Sequence, residues 1–337
     1  MSKKLKVLIM FDAAEPIREG QDYGEVLNDP EKKAEAHVYE TLLKLEHEVR
    51  LLAVTDSVEA IVDEIQAHRP DIVFNQVEQF CGNGTQERNV MGLLEMLQVP
   101  FTGTGLAGLL ICKNKALAKE ILSHHRIKTP NFQVLAKGKR VYAPRRLKYP
   151  LIIKPLREEA SYGISMNSFV ENDKDFFERV SFVQESMNQD VIAEEYVEGR
   201  ELYVGILGNK RPQVLPAREL DFGEMPEDGP KIATFKAKWD EKYREKWGIK
   251  NRFASRLSDE VQREIEKTCK KVFTYLYLGG YARLDLRLSP DNEVIVIEAN
   301  PNPFVARDED FALSAAKFGI SYEELIQRIL NYGLEPC

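Results

Sequence analysis

The chain has 337 residues, of which 43% are apolar and 30% charged, with 20 glycines and 16 prolines. At roughly 150 residues per domain that length suggests about two domains with cores of useful size, and the composition excludes collagen-like, low-complexity and disordered chains. The formal charge of -7 argues against bulk nucleic-acid affinity, which needs a net basic footprint.

The chain opens on a basic start and an apolar run, but Asp12 cuts that run too short for a signal peptide, so residues 5–10 read as a first strand. Helix-like and strand-like segments then alternate over residues 31–46, 49–54, 58–68 and 71–75, a βαβαβ pattern that predicts a parallel sheet with right-handed crossovers. In the second helix Val58, Ile61, Val62 and Ile65 share a face, Ser57 is placed to cap the start and Pro70 follows the end. A third helix over 86–97 leads to Thr102-Gly103-Thr104-Gly105-Leu106-Ala107-Gly108. Literally this is a GxGxxG motif, yet the dinucleotide fingerprint belongs in the first βα turn with an acid about 20 residues on, and here that turn has no glycine cluster. No GxxxxGK[ST] phosphate loop occurs, and the run Leu106–Cys112 is far shorter than the roughly 18 residues of a membrane-spanning helix.

From about Asn114 the pattern changes. A helix to His125 and a break at Pro130 precede Lys137, Lys139, Arg140, Arg145, Arg146 and Lys148, a basic run that suits either an anion-steering patch or, more ordinarily, a solvated loop. An apolar strand over 149–155 carries Lys154, a costly place for a charge unless an anion meets it. A loop from Leu156 to Gly163, helix material over 174–185 and strands over 191–197 and 201–207 follow, the last turning at Gly208-Asn209 as a hairpin does.

A helix from Ser258 with Val261, Ile265, Cys269, Val272, Phe273 and Leu276 on one stripe stops at Gly279-Gly280. The next strand alternates: Leu284, Leu286 and Leu288 face a core, so Arg283, Asp285 and Arg287 face the other way. Its partner over 294–300 places Glu298 and Asn300 on one face. Asp285, Glu298 and Asn300 together offer the oxygen ligands that magnesium takes alongside substrate phosphates, and Arg283 is placed to neutralise a transferring phosphoryl group. A solvated hairpin face is the competing reading. The four cysteines show no CxxC pair and the five histidines no HExxH cluster, so neither zinc nor a disulfide framework is indicated.

Taken in order, these pieces resemble the ATP-grasp superfamily and, within it, the D-alanine–D-alanine ligase group of carboxylate-amine ligases. The matching stretches are Phe74-Asn75, Gly84-Thr85, residues 92–97 running into 100–105, Lys113-Asn114-Lys115, Ile153-Lys154-Pro155, residues 194–201, residues 280–285 and Glu298-Ala299-Asn300. The resemblance implies α/β and α+β architecture in an ATP-grasp fold: an N-terminal parallel-sheet (pre-ATP-grasp) lobe over 1–115, a lid over 116–205 and a C-terminal lobe over 206–337 with the metal hairpin, the two α+β lobes sandwiching the nucleotide.

By the same resemblance Lys115 and Lys154 contact ATP phosphates, and Glu195, Tyr196 and Val197 offer backbone groups to adenine. Glu194 and Glu201 match nucleotide-contacting acids, Glu201 on the ribose, and Ser161 lies in the loop over the phosphates. Asp285, Glu298 and Asn300 hold two magnesium ions, with manganese as an alternative; Arg283 and Lys238 act on the reacting groups. The implied reaction phosphorylates a substrate carboxylate and lets an amine attack the acylphosphate, with cations and positioning supplying most of the catalysis. A non-catalytic ATP-binding regulatory module and a phosphotransferase without an amine step are the alternatives.

Several residues depart from the family pattern. The first turn reads Phe11-Asp12-Ala13-Ala14-Glu15-Pro16 in place of a glycine-rich turn with a substrate-binding glutamate. Ala160 stands for the key serine, Trp239 for a common tyrosine and Phe304 for a glycine. These imply substrates other than two D-alanines: a different amino acid, a peptide end or another small carboxylate, with an amine acceptor. Asp12, Glu15 and Arg18 could reach the cleft, and Arg307 with Asp308, Glu309 and Asp310 could line the acceptor side, each against a surface reading. A cytoplasmic protein with no nucleic-acid or membrane partner is expected, and the family sets a homodimer as the expected assembly.

Overall fold

The strand Lys6–Asp12 is buried on both faces, as its uninterrupted run of large apolar side chains requires of a central parallel strand. Glu48–Val54 and Ile72–Gln76 pair parallel to it on either side. One face of this sheet, with Val7, Ile9 and Phe11, packs on Val38 and Leu42 of the helix Lys33–Lys44. The other, with Leu8 and Met10, packs on Ile61 and Ile65 of the helix Val58–His68 and on Leu94 of the helix Glu87–Met96. Ser57 caps the Val58 helix by accepting from the Ala60 amide, as its place in the sequence predicts. The computed structural model describes residues 3–13, 23–226 and 229–335.

Two further sheets are antiparallel. The four-stranded one runs in the order Phe132–Leu135, Val191–Glu195, Leu151–Pro155, Phe169–Val170, and is backed by Phe176, Val180 and Val183 of the helix Asp173–Met187. The six-stranded one runs Lys250–Phe253, Arg218–Asp221, Arg200–Leu207, Tyr281–Leu288, Val294–Pro301, with Gln213–Val214 beside Arg200–Leu207. The helix Asp259–Tyr275 covers its apolar face with Val261, Ile265, Cys269, Val272 and Phe273, each large buried side chain contributing about 1.5–3 kcal/mol of burial. The parallel sheet and two antiparallel sheets are the α/β and α+β combination expected. The strand Arg200–Leu207 lies wholly in the six-stranded sheet and runs through position 205 without a break. The helix Tyr322–Leu334 returns to the N-terminal sheet, burying Leu325, Ile326, Ile329 and Leu330 against Ile72 and Phe74.

The glycine-rich turn is a packing seam. Gly103 has φ 91° and Gly280 φ 65°, and a Cβ on Gly280 would stand 3.1 Å from the Gly103 nitrogen. Thr104 Oγ1 accepts from the Gly279 amide at 3.1 Å, and the Thr104 amide donates to Asn302 Oδ1 at 2.7 Å. Two backbones touch here, which explains small residues without any dinucleotide. A Cβ on Gly103 would fall 2.1 Å from Asn302 Oδ1, and its φ disfavours any L side chain. Gly103→Ala should therefore lower unfolding free energy by about 1–3 kcal/mol, read from urea denaturation; an unchanged midpoint would show that this seam yields freely.

Candidate active site

Strand periodicity divides the six-stranded sheet into an apolar and a charged face. Leu202, Val204, Ile206, Leu284, Leu286 and Leu288 are all buried in the core beneath it. Alternate residues must then project to the opposite face, and these are Glu201, Tyr203, Arg283, Asp285 and Arg287. The adjoining strand sets Glu298 directly across from Asp285 and Asn300 across from Arg283, with a register shift just after Asp285. Cross-strand neighbours of this kind are within side-chain reach.

The charges on this face are held in matched pairs. Arg283 grips Asp285 with two hydrogen bonds, Nε to Oδ1 at 2.8 Å and Nη2 to Oδ2 at 3.1 Å, and Lys238 Nζ stands 3.8 Å from Oδ2. Lys238 and Arg283 also lie over the Tyr203 ring, at 5.3 Å and 5.0 Å. Arg287 Nη2 donates to Glu201 Oε2 at 2.7 Å, while the Tyr203 hydroxyl donates to Oε1 at 3.0 Å. Lys115, the first residue of the helix Lys115–His124, reaches Glu298 Oε1 at 2.8 Å. Burial pushes the Glu298 carboxyl up, but Lys115, aided by Lys154 and Lys238, overrides it and holds the group at about 2. Burial would likewise discharge Arg283, and Asp285 keeps it above its ordinary value.

The four-stranded sheet supplies the opposing wall. Lys154 Nζ donates to Glu194 Oε2 at 2.9 Å across adjacent strands. Lys119, one turn after Lys115, stands 3.3 Å from Glu194 Oε1 and donates to the Ile297 carbonyl at 2.7 Å. Burial favours a neutral Glu194, yet Lys119 and Lys154 hold its carboxyl below the usual range. With two lysines to one carboxylate, burial lowers Lys119, whereas Glu194 outweighs burial at Lys154 and raises it.

The segment after Glu195 joins the two sheets. The Glu195 amide donates to the Asn131 carbonyl and the Tyr196 amide to the Pro150 carbonyl. The Glu195 carboxylate turns away from the cleft to Asn131 Nδ2 and the Lys148 amide, both at 2.8 Å. Above the cleft, Ser161 Oγ donates to the Ala233 carbonyl at 2.8 Å and the Trp239 indole N–H to the Ala160 carbonyl at 2.9 Å. Tyr162 and Phe235 pack with ring centroids 5.1 Å apart. Loop 158–163 is thus closed against residues 232–239.

One cleft is lined by Lys154, Ser161, Glu194, Glu195, Tyr196, Val197, Glu201, Lys238, Asp285 and Glu298. Lys115 and Arg283 join it through their carboxylate partners, and Asn300 lies across from Arg283. Other candidates are engaged elsewhere. Asp12 accepts from the Glu78 amide and Gln79, Arg307 pairs with Glu40, Asp308 with Lys33 and Asp310 with Arg218. Glu309 is half-buried beside Asp310 and Asp308. Glu15 and Arg18 lie outside the described residues. The basic run from Lys137 to Lys148 is an exposed loop, and none of its residues lines the cleft.

Three participants carry no mark in the sequence reading, Lys119, Tyr203 and Ile297, and Arg287 is placed there on the charged face without a role. Lys119 stands four residues after Lys115 and Arg287 two after Asp285, so helical and strand periods carry the signal for both. Nothing in the sequence marks Ile297.

The fit of a hard cation rests on the donor set. Asp285 and Glu298 present carboxylates on directly paired positions of neighbouring strands, and Asn300, two residues on, adds an amide whose oxygen is of the kind a hard cation takes. No three His, Cys, Asp or Glu side chains gather for a metal among the described residues, so a third protein ligand would have to come from the Asn300 amide oxygen. Arg283 and Lys115 occupy the carboxylates here and would have to share them with an ion.

A family model described as "D-ala D-ala ligase C-terminus" matches residues 121–331. The chain is 29% identical over 272 residues to D-alanine–D-alanine ligase A of Chromobacterium violaceum, covering 79% of this chain and 69% of that one. It is 28% identical over 265 residues to an uncharacterized protein, y4sG, of Sinorhizobium fredii, covering 79% and 75%. The fold is shared with the D-alanine–D-alanine ligase of Bacillus anthracis complexed with ATP: TM-score 0.75, 19% identity, 98% of this chain and 97% of that one. It is also shared with the Coxiella burnetii enzyme, at TM-score 0.69, 17% identity and coverage of 98% and 94%. No helix among the described residues is long and apolar enough to cross a membrane.

A carboxyl depressed on folding stabilises the protein above its unfolded pKa, and that stability is lost as pH falls through the folded value. For Glu298 the window runs from about 4.3, the unfolded value, down to about 2. Without added metal or nucleotide, Glu298→Gln should flatten the loss of stability below about pH 4.5, measured by linear extrapolation of urea melts between about pH 6 and about pH 3. An acid limb identical to that of the parent protein would contradict the Lys115–Glu298 pairing.

Proposed function

Because the chain belongs to the D-ala D-ala ligase C-terminus family, we propose that it is an ATP-dependent carboxylate-amine ligase that forms an amide through an acylphosphate. The observation that carries the reading is the convergence of Lys154, Lys238, Asp285 and Glu298 with Glu195, Tyr196 and Val197 around one cleft. ATP lies between the two antiparallel sheets, adenine against the 195–197 backbone and Ile297, ribose at Glu201, and phosphates toward Lys154 and Lys115. Of the lid expected over 116–205, the four-stranded sheet lies within 132–195, and the strand Arg200–Leu207 pairs in the opposite sheet.

Asp285, Glu298 and Asn300 hold the divalent ion or ions, magnesium first, and such ions neutralise charge on the phosphates. The chain's own residues do the positioning. The substrate carboxylate oxygen bonds to the γ-phosphorus as the bond to ADP breaks, and an amine then displaces phosphate from the acyl carbon, losing a proton. Arg283, delocalised and permanently charged, faces first the transferring phosphoryl group and then the oxyanion formed as the amine adds. Lys238 sits on the same side of Asp285 and supports both.

The substrates of this reading are not two D-alanines. Two of the departures meet: Trp239, in a common tyrosine's place, donates to the carbonyl of Ala160, in the key serine's place. The loop is therefore held to the 232–239 segment by this bond together with that from the Ser161 hydroxyl to the Ala233 carbonyl. Phe304, in a glycine's place, is 38% exposed beside the N-terminal lobe and adds bulk where the family's residue has no side chain.

Magnesium-dependent ADP release in the presence of an amino-acid and dipeptide library should fall by about a hundredfold or more in Asp285→Ala and in Lys154→Ala. Undiminished turnover in either would remove that residue from the site. Mass spectrometry of the products should show a compound equal to two substrates less one water. A stable phosphorylated substrate would instead indicate a phosphotransferase, and ATP binding without turnover across the library a regulatory module.

A further inference from the structure

The strands Tyr281–Leu288 and Val294–Pro301 pair with one slip. Leu286 stands opposite Val296 and Asp285 opposite Glu298, so Ile297 has no partner across the ladder. This is a β-bulge, and its consequence is one of parity. Val294 and Val296 are buried in the core beneath the sheet, and under strict alternation Glu298 would follow them there. The extra residue resets the alternation. Ala299 enters the core instead, and Glu298 turns to the cleft, on the side of Asp285.

A residue left out of the ladder needs another partner for its backbone. The Ile297 carbonyl accepts from Lys119 Nζ at 2.7 Å. Lys119 is 2% exposed, and an ammonium at that depth needs both hydrogen bonding and a counter-charge. The counter-charge is Glu194 on the facing four-stranded sheet, with Oε1 3.3 Å away. Glu194 Oε1 makes no hydrogen bond among the described residues, so this contact is an ion pair and the directed bond is the one to the bulge. One turn earlier on the same helix, Lys115 reaches Glu298 Oε1 at 2.8 Å. Positions 115 and 119 share a helix face. One face of the helix Lys115–His124 therefore grips consecutive residues, Ile297 by its backbone and Glu298 by its side chain.

We propose that Lys119 is a positioning residue: by bonding the Ile297 carbonyl and pairing with Glu194 it holds the bulge in place, and so keeps Glu298 on the cleft face for a divalent ion. The ion in this statement rests on the ligase reading, whereas the hold on the bulge does not. Lys119 is not among the residues that line the cleft, so it acts through Glu298 and not on the nucleotide. Stability alone does not account for it. Buried ion pairs are often replaceable by packed apolar side chains without loss, but an apolar side chain at 119 could not answer the carbonyl of Ile297.

Titration calorimetry of the full chain with ADP, with and without magnesium, tests this through the factor by which magnesium tightens ADP. Lys119→Met keeps the side chain's length and removes the ammonium. It should cut that factor by about tenfold or more, the scale on which groups behind a metal ligand act. In a Glu298→Gln background the same substitution should change the factor by less than about twofold, because the route through Glu298 is already gone. A merely structural lysine would lower stability without producing that pattern. Lys119→Gln, whose amide can still donate to the carbonyl, is the second variant should Lys119→Met fail to fold, and it should retain more of the factor than Lys119→Met. A factor equal to the parent's in either folded variant, or an equal loss in both backgrounds, would overturn the proposal. Failure of the ligase reading is distinguishable: the parent chain would not bind ADP, or would bind it without regard to magnesium. Hydrogen exchange of the 296–299 amides should still be faster by about tenfold or more in Lys119→Met, and unchanged exchange there would overturn the hold on the bulge itself.

Discussion

The cleft depends on burying charges in sets that nearly cancel. Glu194 lies between Lys119 and Lys154, Glu298 against Lys115, and Asp285 in the fork of Arg283. Each of these groups alone would be too costly to remove from water, and deleting one partner of such a pair typically costs about 3–5 kcal/mol because the other is stranded. The apolar reverse of the six-stranded sheet is what makes the arrangement rigid, since Leu284 and Leu286 cannot move without opening the core over the helix Asp259–Tyr275. A preorganised field needs little reorganisation when phosphates arrive, and this is the form of catalysis that phosphoryl transfer rewards.

The same balance explains a net acidic chain with a site suited to an anion. Lys115, Lys154, Lys238 and Arg283 are concentrated at the cleft, and each is already faced by a carboxylate. On the proposed reading, a polyanion entering there would compete for cations that the protein has held in place, and the carboxylates of Asp285 and Glu298 would become available to metal. Phosphate and divalent ion would then complete one another's sites.

Much of this was legible because period and position encode it. Alternation in residues 281–288 separates Arg283 and Asp285 from the leucines, and the structure keeps them on opposite faces. The stripe from Val261 to Leu276 gives the helix and its buried face. Other features depend on contacts between distant segments. The Gly103–Gly280 seam reads locally as a nucleotide motif and becomes intelligible only when two turns 177 residues apart by number (280 less 103) touch. Arg218–Asp221 and Lys250–Phe253 are too short and polar to announce themselves as strands and exist through their pairing. The Tyr322–Leu334 helix is amphipathic in sequence, but which sheet it covers is decided by the three-dimensional path. Trp239 and Ala160 each depart from the family separately, and only their hydrogen bond shows them to be one change.

The most direct measurement is a crystal structure of the full chain with a non-hydrolysable ATP analogue and magnesium. The account predicts adenine against Glu195, Tyr196 and Val197, phosphates between Lys154 and Lys115, and metal density shared by Asp285, Glu298 and Asn300. Nucleotide bound elsewhere, or bound there with Asp285 still in the grip of Arg283 and no metal at the carboxylates, would contradict it.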